Sequence, residues 1–163
     1  MPIAIKSFDT DQRRLSDKAI SMLRQDMEEV RSRLGRVKDP KKVDALVRTA
    51  VLAGARVVRD RARQNAPIRT GDLKKDIIAR TRRRRRGDTS TRATVTIKPK
   101  SRSRHIAHLV EFGTDPHEQK KLNKVHPGAK AKPFLRPAAD ENDKEIFDAV
   151  VEKARERLGK LNV

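Results

Sequence analysis

The 163-residue chain has no cysteine, no tryptophan and no tyrosine, and its four phenylalanines bring aromatics to only 2%. Without thiols it can form no disulfide, no thiolate zinc site and no cysteine nucleophile. With so few rings, a core has to be built from Val, Leu, Ile and Ala packed between helices. No apolar run approaches the roughly 18 residues that suggest a membrane span. The opening stretch MPIAIKSFD is too short and too soon acidic to read as a secretory signal. The expectation is a soluble protein made in a cytoplasm, with no membrane among its partners. Negative charge is also scarce, because 41 Lys and Arg face 22 Asp and Glu, a net +19. Such an excess steers a protein toward polyanions or acidic protein surfaces without specifying which.

The length suits one ordinary domain, which would bury roughly 70% of the surface its unfolded chain exposes. With 35% apolar and 39% charged residues, that core must be lean. Low hydrophobicity with high net charge is also the signature of disorder, and regular apolar stripes are what argue against it. Leu15, Ala19, Met22, Leu23, Met27, Val30 and Leu34 fall at three- and four-residue steps and predict a helix over 9–34. Asp9, Thr10 and Asp11 can cap its start, and Gly35 can stop it. A second helix is expected over 41–65, apolar around much of its circumference and therefore expected to be covered on most sides as the central element. Its small residues Ala50, Ala53, Gly54 and Ala55 would admit a close neighbour, and Pro67 ends it.

After the turn at Thr70-Gly71-Asp72-Leu73 the period changes to two. Ala93, Val95 and Ile97 alternate with Thr94, Thr96 and Lys98, and Ile77 and Ala79 can oppose them, which predicts a hairpin over 77–98. Its distal end carries Arg82, Arg83, Arg84, Arg85 and Arg86, with side chains on both faces. Five adjacent arginines cannot cover a core, so the tip is expected to protrude. A short helix is expected over 105–112, a long loop over 113–134, and a C-terminal helix over 137–161 whose first turns hold Asp140, Glu141, Asp143 and Glu145. Phe112 and Phe134, at either end of the loop, are expected to anchor it in the core. Glu111 and Arg136 beside them are placed to pair either across the loop base or across a subunit boundary.

The stretch from Arg80 to Arg104 holds eleven basic residues and one acid, +10 of the +19. The candidate anion- or interface-contacting residues are Arg80, the run Arg82 to Arg86, Arg92, Arg102 and Arg104. Guanidinium groups there can pair with phosphates or with a neighbour's carboxylates, for which Asp140, Glu141, Asp143 and Glu145 are the candidates. Nucleic-acid recognition is not established by charge alone. No aromatic lies between Phe8 and Phe112 to stack bases, and no reading-helix, zinc-finger or RNA-binding-sheet motif is present. His105, His108, Glu111, His117 and His126 lack a metal-site signature and are taken as surface or loop residues. No Ser or Thr occupies a nucleophile elbow and there is no Gly-rich phosphate loop. No catalytic, metal or cofactor residues are expected, and an enzyme is disfavoured.

Three stretches carry a resemblance. Ala66-Pro67-Ile68-Arg69-Thr70-Gly71-Asp72-Leu73-Lys74-Lys75-Asp76-Ile77, then Leu109-Val110-Glu111-Phe112-Gly113-Thr114, then Lys132-Pro133-Phe134-Leu135-Arg136-Pro137-Ala138 resemble, in order and spacing, the motifs of the gene-product-ten-type tail-component family of long-tailed bacteriophages. The family-motif positions are Pro67, Thr70, Gly71, Leu73, Glu111, Phe112, Gly113, Thr114, Pro133, Phe134, Leu135, Arg136 and Pro137. The resemblance implies an α+β fold, long helices packed on a small antiparallel sheet. It also implies a virion protein that completes the tail and joins it to the head in the neck. There it would form a ring of its own copies, commonly six, between head-closure and tail-terminator proteins, with genomic DNA in the lumen. The rival reading of the same arginines is a sequence-neutral nucleic-acid-binding protein that uses the hairpin as a phosphate clamp. A nuclease-like enzyme is a distant third, for want of a catalytic set.

Overall fold

The computed structural model describes residues 17–81, 91–119 and 124–161. Six helices and two small antiparallel sheets appear in the order α1 (Asp17–Gly35), α2 (Pro40–Asn65), α3 (Asp72–Asp76), β1 (Ile77–Thr81), β2 (Ala93–Ile97), α4 (Ser103–Phe112), β3 (His117–Gln119), β4 (Lys124–His126), α5 (Leu135–Asp140) and α6 (Asp143–Gly159). This is the α+β arrangement expected from the resemblance.

Helix α2 is the spine. Asp39 caps it by accepting the Lys41 amide at 2.9 Å, with Pro40 as its first helical residue, where a missing N–H costs nothing. It ends at Asn65 because Ala66, preceding Pro67, is held extended with ψ at 128°. One end of α2 packs Leu46 and Ala50 against Val30 of α1 and Val151, Ala154 and Leu158 of α6. The other end places Ala62 and Ala66 with Leu73, Ile77, Phe134 and Ala138. Ile77 and Leu158 are fully buried, each contributing about 1.5–3 kcal/mol over an exposed position. At Gly54 the α2 backbone meets α6 so closely that a Cβ would lie 2.7 Å from Val150 Cγ2. Arg61 of α2 reaches Glu145 of α6 at 2.7 Å, and Arg155 of α6 reaches Asp26 and Glu29 of α1, both at 2.6 Å.

The expected hairpin is present as β1 and β2, in register from Ile77 opposite Ile97 to Thr81 opposite Ala93. Arg82, Arg83, Arg84, Arg85 and Arg86 lie outside the described residues, and so do residues 9–16 of the expected first helix. The cover on α2 is thinner than its composition suggests. Leu46, Ala50, Gly54 and Ala62 are its buried residues, while Val47, Val51, Leu52, Ala55, Val57 and Val58 are half-buried.

Three further expectations are corrected. The long loop over 113–134 contains a second hairpin, β3 with β4, closed by a bridge between Thr114 and Ala129. The C-terminal helix over 137–161 is two helices, α5 beginning at Leu135 and α6 beginning at Asp143. Between them Asn142 turns its Nδ2 back to donate to the Ala138 carbonyl at 3.1 Å, the side-chain competition that lets an Asn interrupt a helix. Phe134 is buried as expected, but Phe112 is 66% exposed.

Candidate functional site

The second and third motif stretches meet at one carboxylate. Glu111, in the last turn of α4, is buried. Its Oε2 accepts the backbone amides of Phe134 at 2.8 Å and Leu135 at 3.0 Å, and its Oε1 accepts that of Arg136 at 3.0 Å. A helix start leaves four amides without an internal partner. Here three go to Glu111, and the next residue, Pro137, has no amide to satisfy. Burial alone would raise the Glu111 carboxyl, but the three backbone donations and the nearby Arg136 charge outweigh it and hold the group below its ordinary value. The expected pairing of the Glu111 and Arg136 charges is replaced within the chain by a bond from the Arg136 backbone amide to the Glu111 carboxylate. The Arg136 guanidinium sits over the exposed Phe112 ring, 5.5 Å from its centroid.

Around this joint the other motif residues hold the chain's path. Gly113 has φ at 77°, and a Cβ there would lie 2.6 Å from the Ala129 carbonyl, so only glycine fits. Thr114 exchanges both backbone bonds with Ala129, at 2.9 and 3.0 Å. In the first motif Gly71 is left-handed ahead of α3, with the Thr70 hydroxyl donating to Asp72 Oδ2 at 2.9 Å and Leu73 buried. Pro67 and Pro137 are half-buried and Pro133 is exposed.

A second joint was missed by sequence reasoning. Asp76 Oδ2 accepts the hydroxyls of Ser101 and Ser103, and Lys98 Nζ lies 3.7 Å from its Oδ1. The hydroxyls of Ser101 and Ser103 hold the carboxyl below its usual range. This ties the exit of β2 and the start of α4 to the base of the hairpin. Serines just ahead of an apolar helical stretch are the signal that could have revealed it. Arg63, also missed, donates to the Ile77 carbonyl from Nε at 3.1 Å and Nη2 at 2.8 Å, fastening β1 to α2.

Among the described residues, the basic candidates Arg80, Arg92, Arg102 and Arg104 do not form one cluster. Arg80 and Arg92 are exposed near the Thr81–Ala93 end of the ladder. Arg102 and Arg104 are exposed at the start of α4, beside the hairpin base, and four residue steps of strand separate the two ends by roughly 13 Å. Of the acidic candidates, Glu145 is engaged with Arg61. Glu141 and Asp143 are exposed and Asp140 is half-buried, at the break between α5 and α6. His105 and His108 are exposed on α4, while His117 and His126 stack across β3 and β4 with centroids 5.0 Å apart. Among the described residues no group of three or more His, Asp or Glu is placed to hold a metal ion, and no helix is long and apolar enough to cross a membrane.

No match was found among curated proteins or among solved structures. The family model described as "Bacteriophage HK97-gp10, putative tail-component" matches residues 28–113, just over half of the chain. The matched stretch runs from within α1 to the glycine that closes α4, and takes in the first motif and all of the second but its last residue, Thr114. The third motif, at 132–138, lies beyond it but is bound to it through Glu111. By this match the chain belongs to the bacteriophage HK97-gp10-like family of tail components.

Proposed function

We propose that this phage tail component completes the tail and joins it to the head, as a ring of identical copies in the neck that performs no chemistry. The observation that carries the reading is the use made of Glu111. The carboxylate of the family motif is consumed by three backbone amides, so it acts as an internal fastening that stiffens one end of the molecule. A connector that transmits position between two assemblies needs such rigidity. Its partners are further copies of itself, six in the reading we favour, together with head-closure and tail-terminator or tail-tube proteins. Genomic DNA passes through the lumen.

A ring of identical subunits requires a heterologous interface, in which one patch docks on a different patch of the next copy. The arginine-rich hairpin and the acidic start of α6 are opposites of that kind, with Glu141 and Asp143 exposed there and charge pairing setting orientation. Removing the protein from its phage is expected to leave DNA-filled heads and fully polymerised tails that do not join, as seen by electron microscopy of lysates. Normal joined particles without it would refute the connector role.

The exposed positions of Arg80 and Arg92 also keep the phosphate-clamp reading in play. Filter binding of duplex DNA at two salt concentrations separates the readings. A clamp loses affinity steeply, log–log, with salt, while a connector retains DNA weakly under both conditions.

A further inference from the structure

Helix α4 turns Ser103, Ala107, Val110 and Glu111 inward, with Ser103 and Glu111 buried. Its other side carries Ile106, Leu109 and Phe112, exposed by 49%, 39% and 66%. Three large apolar side chains at three-residue steps form a two-turn ridge about 9 Å long. No other described helix exposes such a row. A second feature has the opposite shape. Along the half-covered flank of α2, a cleft of about 440 Å³ opens between α2, β2, α5 and α6, walled by Val51, Ala55, Val58, Val95, Ile146 and Val150. Its lining is almost entirely carbon.

We propose that the α4 ridge of one copy docks in the α2–α6 cleft of a second copy of this chain. The proposal rests on the ring reading above and names the surfaces that close the ring. Charge chooses the occupant. The ridge is flanked by the exposed Arg102, Arg104, Lys132 and Arg136, and Glu111, the acid of α4, is already consumed inside the subunit. Between Ala139 and Ile146, which both line the cleft, the chain carries the exposed acids Glu141 and Asp143. Apolar ridge into apolar cleft, with a basic flank against these acids, is complementary both in desolvation and in sign. Ridge and cleft are different patches present on every copy, so the contact is heterologous and propagates head to tail, as a ring demands.

The natural absence of cysteine makes the test clean. Leu109→Cys and Ala55→Cys chains are purified separately, mixed, and treated with a short bismaleimide, with the mass of the uncross-linked protein measured in parallel. Val58→Cys replaces Ala55→Cys if the latter melts early. A band at twice the chain mass is expected in the mixture, and at least tenfold less in either variant alone. Cross-linking of Leu109→Cys alone would mean a symmetric ridge-to-ridge contact and overturn the proposal. An oligomeric mass without cross-linking in the mixture gives the cleft another occupant; it overturns the proposal while leaving the ring reading intact. A monomeric mass without cross-linking at the highest soluble concentration overturns both.

Discussion

Glu111 shows how far a single residue can be read before its surroundings are known. Its charge, next to a glycine turn and across a loop from Arg136, marked it as one half of a pair. Its actual partners are three peptide amides that carry no side-chain signature, which is why the sequence could not name them. Because the carboxylate satisfies every otherwise orphaned donor at the start of α5, Glu111→Ala is expected to cost about 2 kcal/mol. For a chain of this size that is a fall in melting temperature of about 4–8 °C. Glu111→Gln, which keeps one neutral acceptor oxygen, should lose less. Thermal denaturation of both variants checks the order, and an alanine variant that melts with the wild type would remove Glu111 from its structural role. Phe112 shows the reverse limit: an aromatic in an aromatic-poor chain was expected inside, yet it lies outside beneath the Arg136 guanidinium.

Among the elements, the long helices and the first hairpin were legible, while the second hairpin and the break between α5 and α6 were not. The apolar stripe of α1 and the apolar circumference of α2 run over enough turns to be read as helices, and the small residues of α2 announced a close neighbour. That the neighbour is α6 follows only from packing, at Gly54. Gly54→Ala would improve intrinsic helix propensity by about 1 kcal/mol, but its Cβ would meet Val150 Cγ2 at 2.7 Å and the Ile146 carbonyl at 3.1 Å. Backbone and a β-branched side chain yield little, so overpacking of about 1–3 kcal/mol should win. Lower stability in urea unfolding is the expected result, and a more stable variant would show that α6 can move away. Strands β3 and β4 are three residues each, His-Glu-Gln and Lys-Val-His, too short and too polar to show alternation. Their hairpin depends on the Thr114–Ala129 bridge and on Gly113. The interruption between α5 and α6 contains neither glycine nor proline, so the sequence read through it.

For the molecule as a whole, charge governs stability as well as partners. Glu29 beside Arg155, Asp60 beside Arg59, Asp76 beneath its two serines, and Glu111 all have carboxyls held below their ordinary values. Glu156, between Lys153 and Lys160, is lowered to about 2. Groups with depressed folded-state values bind protons more readily when the chain is unfolded. Their contribution is therefore complete above the ordinary carboxylate range, near pH 4, and is lost as pH falls through the lower folded values. Acid also removes the negative charge that offsets a net +19, adding repulsion in the same direction. The melting temperature should be nearly flat from about pH 7 to 5 and fall steeply below about pH 4. A melting temperature that rises on acidification would contradict this.

The sequence by itself determined the helical spine, the existence of the first hairpin, the concentration of positive charge and the family motifs, because each is written in local spacing or composition. Tertiary structure alone decided what those features meet. It made Glu111 a backbone cap, parted Arg80 and Arg92 from Arg102 and Arg104, and left an apolar ridge on α4 without a cover from its own chain among the described residues. Periodicity states which face of an element is apolar. Only the three-dimensional packing of the other elements determines whether anything in the same chain reaches that face.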